Sequence, residues 1–278
     1  MAARREPRSA PERIAVFVGK DLLGDAVMKL PFLKVLRRAF PAARILWLAS
    51  GKSVFAGTLA PLAAGLLDAV LEDIAWGESW TDLLRSPPRL PPIDLLLDTQ
   101  RRVRTTLALR RLHPGIFVSA AAGWHFSARK PKTPAKPPAM LAQMLRLLEA
   151  CGADTGLAGL PPLQLPAPLA AGAEARLPPL RPLVGLAPGA GGIHKAWPLP
   201  RFLALGQLLA ARGLVPVVLL GPDERDWAAR VKDDLPAAHL PLRPSDPPLF
   251  TMAIARHLAL AVANDSGIGH RIAAAGTP

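Results

Sequence analysis

Apolar residues fall along the chain in two alternating patterns, and the alternation predicts an α/β protein. Arg13-Ile14-Ala15-Val16-Phe17-Val18 is a short, continuous, β-rich run, the pattern of a strand buried on both faces of a parallel sheet. After a turn containing Gly24, apolar residues recur at helical spacing from Ala26 to Phe40 (Val27, Leu30, Leu33, Leu36, Phe40). Lys29, Lys34, Arg37 and Arg38 fill much of the other face. Pro41 stops this helix, and Arg44 to Leu48 reads as a second strand, which makes a βαβ unit with a right-handed crossover. Ala69-Val70-Leu71 and Ile93 to Asp98 extend the sheet, Val103 to Leu112 is a basic helix, and Ala139 to Ala150 is another helix. Residues 127–138 are basic and proline-rich and fit neither helix nor strand.

The pattern then restarts. Leu183 to Leu186, Val215 to Leu220 and Leu258 to Ala263 read as strands, with helices predicted over Pro200–Arg212 and Asp223–Lys232. The stretch 152–182 is rich in Pro, Gly and Ala. The expected organisation is two doubly wound domains, 1–165 and 183–278, joined by a linker at 166–182, with ligands at the carboxyl ends of the strands. No tandem repeat of 20–50 residues is visible.

With 50% hydrophobic and 20% charged residues, the chain can bury a core. The longest apolar runs are broken by Asp68 and by Arg256-His257, so no membrane span is expected, and residues 1–13 lack the apolar stretch of a secretory signal. Cys151 is the only cysteine, which excludes intramolecular disulfides and cysteine-rich zinc sites. The net charge of +13 is lopsided: residues 1–150 hold 23 Lys+Arg against 12 Asp+Glu, the remainder 11 against 9. A basic first half beside a near-neutral second half points to a polyanionic partner, nucleic acid or an anionic lipid surface. No nucleic-acid motif is recognisable and the chain contains no tyrosine, so nucleic acid is not the expected partner.

Three stretches carry candidate chemistry. Asn264-Asp265-Ser266-Gly267-Ile268-Gly269-His270 links a predicted strand to a helical segment, an arrangement that aims backbone N–H groups at an anion. Asp265 or Ser266 can cap that helix, Gly267 permits close approach of a phosphate, and His270 lies one turn on. Pro188-Gly189-Ala190-Gly191-Gly192-Ile193-His194-Lys195 is a glycine-rich loop reaching a lysine. It reads either as a phosphate contact or as a flexible surface loop, and it lacks the Gly-Lys-Ser/Thr of a Walker loop. Gly24-Asp25 sits where the first strand turns into the first helix. The aspartate there is an N-cap or dipole partner, or a general base. Gly221-Pro222-Asp223-Glu224-Arg225-Asp226 ends a strand with three acids, for helix capping or for ribose hydroxyls.

Taken in order, Arg13-Ile14 through Gly24-Asp25 to Leu30-Pro31, the Gly-Ala…Lys-x-Trp-Pro element at Gly189 to Pro198, and Asn264-Asp265-Ser266-Gly267…His270…Gly276-Thr277-Pro278 resemble the ADP-heptose:lipopolysaccharide heptosyltransferases. Ile93 to Gln100 resembles a strand of the same family. The resemblance implies a GT-B fold, two Rossmann-like domains facing across a cleft, and an inverting transfer of heptose or a related sugar from an ADP-sugar to a lipopolysaccharide core acceptor. The implied donor is ADP-L-glycero-D-manno-heptose, with no cofactor and no metal.

Residue by residue, the resemblance makes Asp25 the base on the acceptor hydroxyl and Lys195 the cation that neutralises the departing diphosphate. Ser266 and Gly267 supply backbone N–H groups, Asp265 shapes their turn, His270 adds a donor, and Glu224 or Asp226 holds the ribose. Arg129, Lys130, Lys132 and Lys136 on the proline-rich loop are expected to attract the phosphorylated lipid A–core acceptor and the anionic membrane surface. This places the chain in the cytoplasm, peripheral on the inner membrane of a Gram-negative bacterium. Family members continue beyond Gly-Thr-Pro, so the second domain is expected to be incomplete, with the strand ending at Ala263 left at a sheet edge. The rival expectations are an inactive homologue that binds an anionic glycolipid and a transferase using another nucleotide sugar.

Overall fold

The computed structural model describes residues 10–179, 182–192, 194 and 196–278. The chain forms two compact units, Met1–Leu22 with Lys29–Pro161, and Leu23–Met28 with Pro162–Pro278.

The first unit is built on β1 (Arg13–Val18), α1 (Leu23–Ala39), β2 (Arg44–Ala49), α2 (Ala60–Ala63), β3 (Ala69–Leu71), β4 (Leu95–Asp98), α3 (Val103–Arg110), β5 (Ile116–Ser119) and α4 (Met140–Ala150). Its five strands are all parallel, in the order β3-β2-β1-β4-β5, with Ile14 level with Ile45 on one side and Leu95 on the other. That is a doubly wound order with its switch point between β1 and β4. Every residue of β1 except Arg13 is buried, as expected for a strand with helices over both faces. Each large apolar side chain so enclosed contributes about 1.5–3 kcal/mol.

The second unit contains α5 (Ala167–Ala175), β6 (Leu183–Ala187), α6 (Leu199–Ala211), β7 (Val215–Val218), α7 (Trp227–Asp234), α8 (Pro248–Ala255), β8 (Leu260–Ala263) and α9 (Gly267–Ala274). Three parallel strands run in the order β7-β6-β8. One face of the sheet packs on Phe250, Ile254, Ile268 and Ile272, the other on Phe202, Leu203, Val231 and Leu235. Gly185, in the middle strand, has no room for a side chain: a Cβ there would lie 2.6 Å from Leu258 Cδ1. β8 is an edge strand, half-buried to exposed along its length, and its Ala261 N–H donates to the Pro278 carbonyl at 2.9 Å.

Several expectations need correction. Residues 166–182, read as linker from composition, carry α5, whose Ala173 is fully buried in the second core. β5 and α8 were not foreseen. The helix expected from Asp223 begins at Trp227, behind a 3-10 turn at Pro222–Glu224. α1 begins at Leu23, not Ala26, so Asp25 lies inside its first turn and the N-cap is Leu22. Lys29 is not on the polar face but buried. Among the described residues no helix is long and apolar enough to cross a membrane.

Candidate functional site

In the second unit the carboxyl ends of all three strands carry the sequence motifs. Ser266 is the N-cap of α9: its backbone is extended and its Oγ accepts the Gly269 N–H at 3.2 Å. Of the two expected caps, Ser266 takes the role. This leaves the N–H groups of Gly267 and Ile268 without an intrahelical partner at the positive end of the helix dipole. Asp265 is two-thirds exposed, with its Oδ1 3.7 Å from His270 Nε2, so these two expected site residues face each other across the first turn.

The glycine-rich loop after β6 is tied to the same place by a residue whose role the sequence does not reveal. Asn264, 9% exposed, donates from Nδ2 to the carbonyls of Pro188 (2.7 Å) and Trp197 (3.2 Å), and its Oδ1 accepts the Trp197 N–H (2.9 Å). The Gly191 N–H reaches the Asp265 carbonyl at 3.5 Å. One buried amide therefore fastens both ends of the loop to the end of β8. Lys195 lies outside the described residues.

Glu224 completes this cluster from the end of β7. Its Oε2 accepts the Gly221 N–H at 2.9 Å, and its carboxylate lies so close to Gly189 that a Cβ there would be 2.5 Å from Oε1. A side chain at Gly189 would therefore push the Glu224 carboxylate from its place. Burial, with a smaller contribution from the charge of Asp223, raises the Glu224 pKa. Asp226, the alternative, is exposed at the start of α7 and caps nothing with its side chain. Glu224, Asp265, Ser266, Gly267 and His270 thus all lie in the second unit, as does the exposed Asp226.

Beyond Gly221 a cavity of about 290 Å³ opens, walled by Val218, Leu220, Leu240, Leu242 and Ile268. Pockets of this order, mostly apolar with a few polar groups, are the usual form of a small-molecule site.

Asp25, which belongs with Leu23–Met28 to the second unit, is half-buried and makes no hydrogen bond or ion pair with a described residue. Nearby in sequence, Asp21 is the centre of a buried polar cluster at the ends of β1 and β2. Its carboxylate pairs with Lys29 Nζ and accepts Trp47 Nε1–H (2.6 Å) and Ser53 Oγ–H (2.7 Å). Lys29 also lies 5.7 Å from the centre of the Trp47 ring. Sequence reading missed this cluster because Lys29 sits at a helical position otherwise consistent with a solvated face.

The loop 127–138 has no helix or strand, as expected, but it is pinned. Trp124 Nε1 donates to the Pro134 carbonyl at 3.1 Å, and Gln143 Nε2 to that of Pro137 at 2.9 Å. Lys130, Lys132 and Lys136 are exposed, whereas Arg129 is half-buried, its guanidinium 3.5 Å from the Cys151 carbonyl. Among the described residues no group of three His, Cys, Asp or Glu could hold a metal ion.

Residues 94–278 match the sequence profile of glycosyltransferase family 9 (heptosyltransferase). The chain belongs to this family. No curated protein matches this family 9 chain. Among solved structures, it is similar to a family 9 glycosyltransferase from Veillonella parvula, at 18% identity and TM-score 0.67 over 96% of this chain and 80% of that one. It is also similar to ADP-heptose lipopolysaccharide heptosyltransferase II of E. coli, at 17% and 0.63, covering 96% and 83%. A third similar structure is E. coli heptosyltransferase WaaC with ADP-2-deoxy-2-fluoro heptose, at 20% and 0.64, covering 96% and 87%. These likenesses show the fold: two parallel α/β units of the GT-B class, as in the family 9 enzymes.

Proposed function

We propose that this chain is an inverting heptosyltransferase. It moves heptose, or a closely related sugar, from an ADP-sugar such as ADP-L-glycero-D-manno-heptose to a lipopolysaccharide core acceptor. The observation that carries the reading is the cluster in the second unit, where a capped helix N-terminus, a glycine loop clamped by Asn264 and the Glu224 carboxylate converge. A diphosphate matches the free N–H groups of Gly267 and Ile268. Ribose hydroxyls match a carboxylate that already accepts one backbone N–H, and a flat base matches the apolar cavity past Gly221.

Asp25 takes the proton of the acceptor hydroxyl, whose oxygen attacks the anomeric carbon from the face opposite the diphosphate. The carbon–oxygen bond to the β-phosphate breaks with inversion, and ADP departs carrying the bonding pair. Backbone N–H groups of α9, His270 and Lys195 meet the charge that develops on it, so no metal is needed in this scheme. Lys130, Lys132 and Lys136 draw the phosphorylated acceptor and the anionic inner-membrane surface, which makes the protein cytoplasmic and peripheral. The test is Asp25→Asn. It should retain ADP binding and lower turnover by roughly 10²–10⁴-fold. Near-normal turnover would remove Asp25 from the mechanism.

A further inference from the structure

Arg271 stands one turn into α9 and lines the cavity beyond Gly221, among residues of the second unit. Among the described residues its buried Nε has no hydrogen-bond partner and its guanidinium makes no ion pair. The one acid on the cavity wall, Asp246, is already engaged: it accepts from Arg176 Nη1 (2.6 Å) and from the Arg243 N–H (2.7 Å). Burial with no compensating acid holds the Arg271 pKa below the ordinary arginine value. Arg271 as a whole is half-buried, and a partly buried cation left unpaired costs stability, a cost that an apolar side chain of similar length avoids. Packing therefore gives no reason for an arginine here.

We infer that Arg271 determines which donor the site accepts, by giving its Nε–H to a ring nitrogen of the nucleobase lying in the cavity. This rests on the nucleotide-sugar reading above and adds a residue to it. A purine offers unprotonated ring nitrogens along its edge and a flat face for the apolar wall, and a guanidinium is planar enough to meet either. Five aliphatic side chains suit the flat base, and because Arg225 and Arg243 line the same cavity, titration with a phosphate that carries no base separates the two occupants.

The experiment compares the full chain with Arg271→Met, by calorimetric titration with ADP and with inorganic pyrophosphate and by the melting temperature without ligand. Losing a charge-assisted bond to the base should weaken ADP by roughly ten- to a hundredfold. Pyrophosphate, which has no base, should bind both proteins alike, and the unliganded variant should melt no lower than the parent. A merely structural arginine would instead lower the melting temperature and weaken both ligands, which overturns the inference. Equal ADP affinity in the two proteins overturns it as well and leaves the nucleotide reading standing. Failure of the unaltered chain to bind ADP at all overturns that reading and this inference together.

Discussion

Replacing Asp21 by Asn tests whether the buried cluster at the ends of β1 and β2 holds the first unit together. The aspartate side chain is wholly buried and Lys29 is 8% exposed, so neither can recover solvation by turning outward. An asparagine can still accept from Trp47 and Ser53 through one oxygen, but its amide then faces the Lys29 ammonium, donor against donor. Lys29 is left as an unpaired buried cation. Breaking one side of such a pair costs about 3–5 kcal/mol. For a unit of this size each kcal/mol moves the melting temperature by about 2–4 °C, so scanning calorimetry should show a drop of roughly 6–20 °C. The double variant Asp21→Asn with Lys29→Met removes both charges and should recover most of that loss. A single variant within about 1 kcal/mol of the parent, or a double variant no more stable than the single, would refute the reasoning.

Three further outcomes follow from the same kind of argument. Asn264→Ala deletes three hydrogen bonds that fasten the glycine loop to β8 and should lower stability by about 2–4 kcal/mol while weakening ADP, read by urea denaturation and titration. Among the described residues the fully buried Asp98 has only Thr106 (2.6 Å), Ser119 (2.8 Å) and the Gln100 N–H (2.9 Å) as partners, and burial raises its pKa. The folded protein then holds a proton that the unfolded chain has released, so stability should fall as pH rises above about 4, and Asp98→Asn should flatten that fall. Cys151, its thiol pushed up to about 11 by burial, should resist alkylation at pH 8 until the protein is unfolded, as mass spectrometry of iodoacetamide adducts will show.

How much of this was legible depended on whether a signal was local. β1 and β2 were legible because continuous β-branched and aromatic runs have no competing period, and the Ser266 cap because its donors lie within three residues. β5 escaped because Ile116–Ser119 is only four residues long. α8 escaped because all but its first residue are buried, which erases the periodicity that marks a helix. α5 was hidden by a Pro-, Ala- and Gly-rich composition that resembles a linker. The pairing of Asp21 with Lys29, the Asn264 clamp and the unpaired Arg271 depend on chain closure, and no spacing along the sequence encodes which polar side chain ends up enclosed.

The most direct test of the central claim is to incubate the chain with ADP-heptose and a lipopolysaccharide core acceptor, following ADP release and the anomeric configuration of the product by NMR. The account predicts acceptor-dependent release of ADP with inversion at the anomeric carbon, strongly reduced in Asp25→Asn. ADP release that ignores the acceptor, or a product of retained configuration, would contradict it.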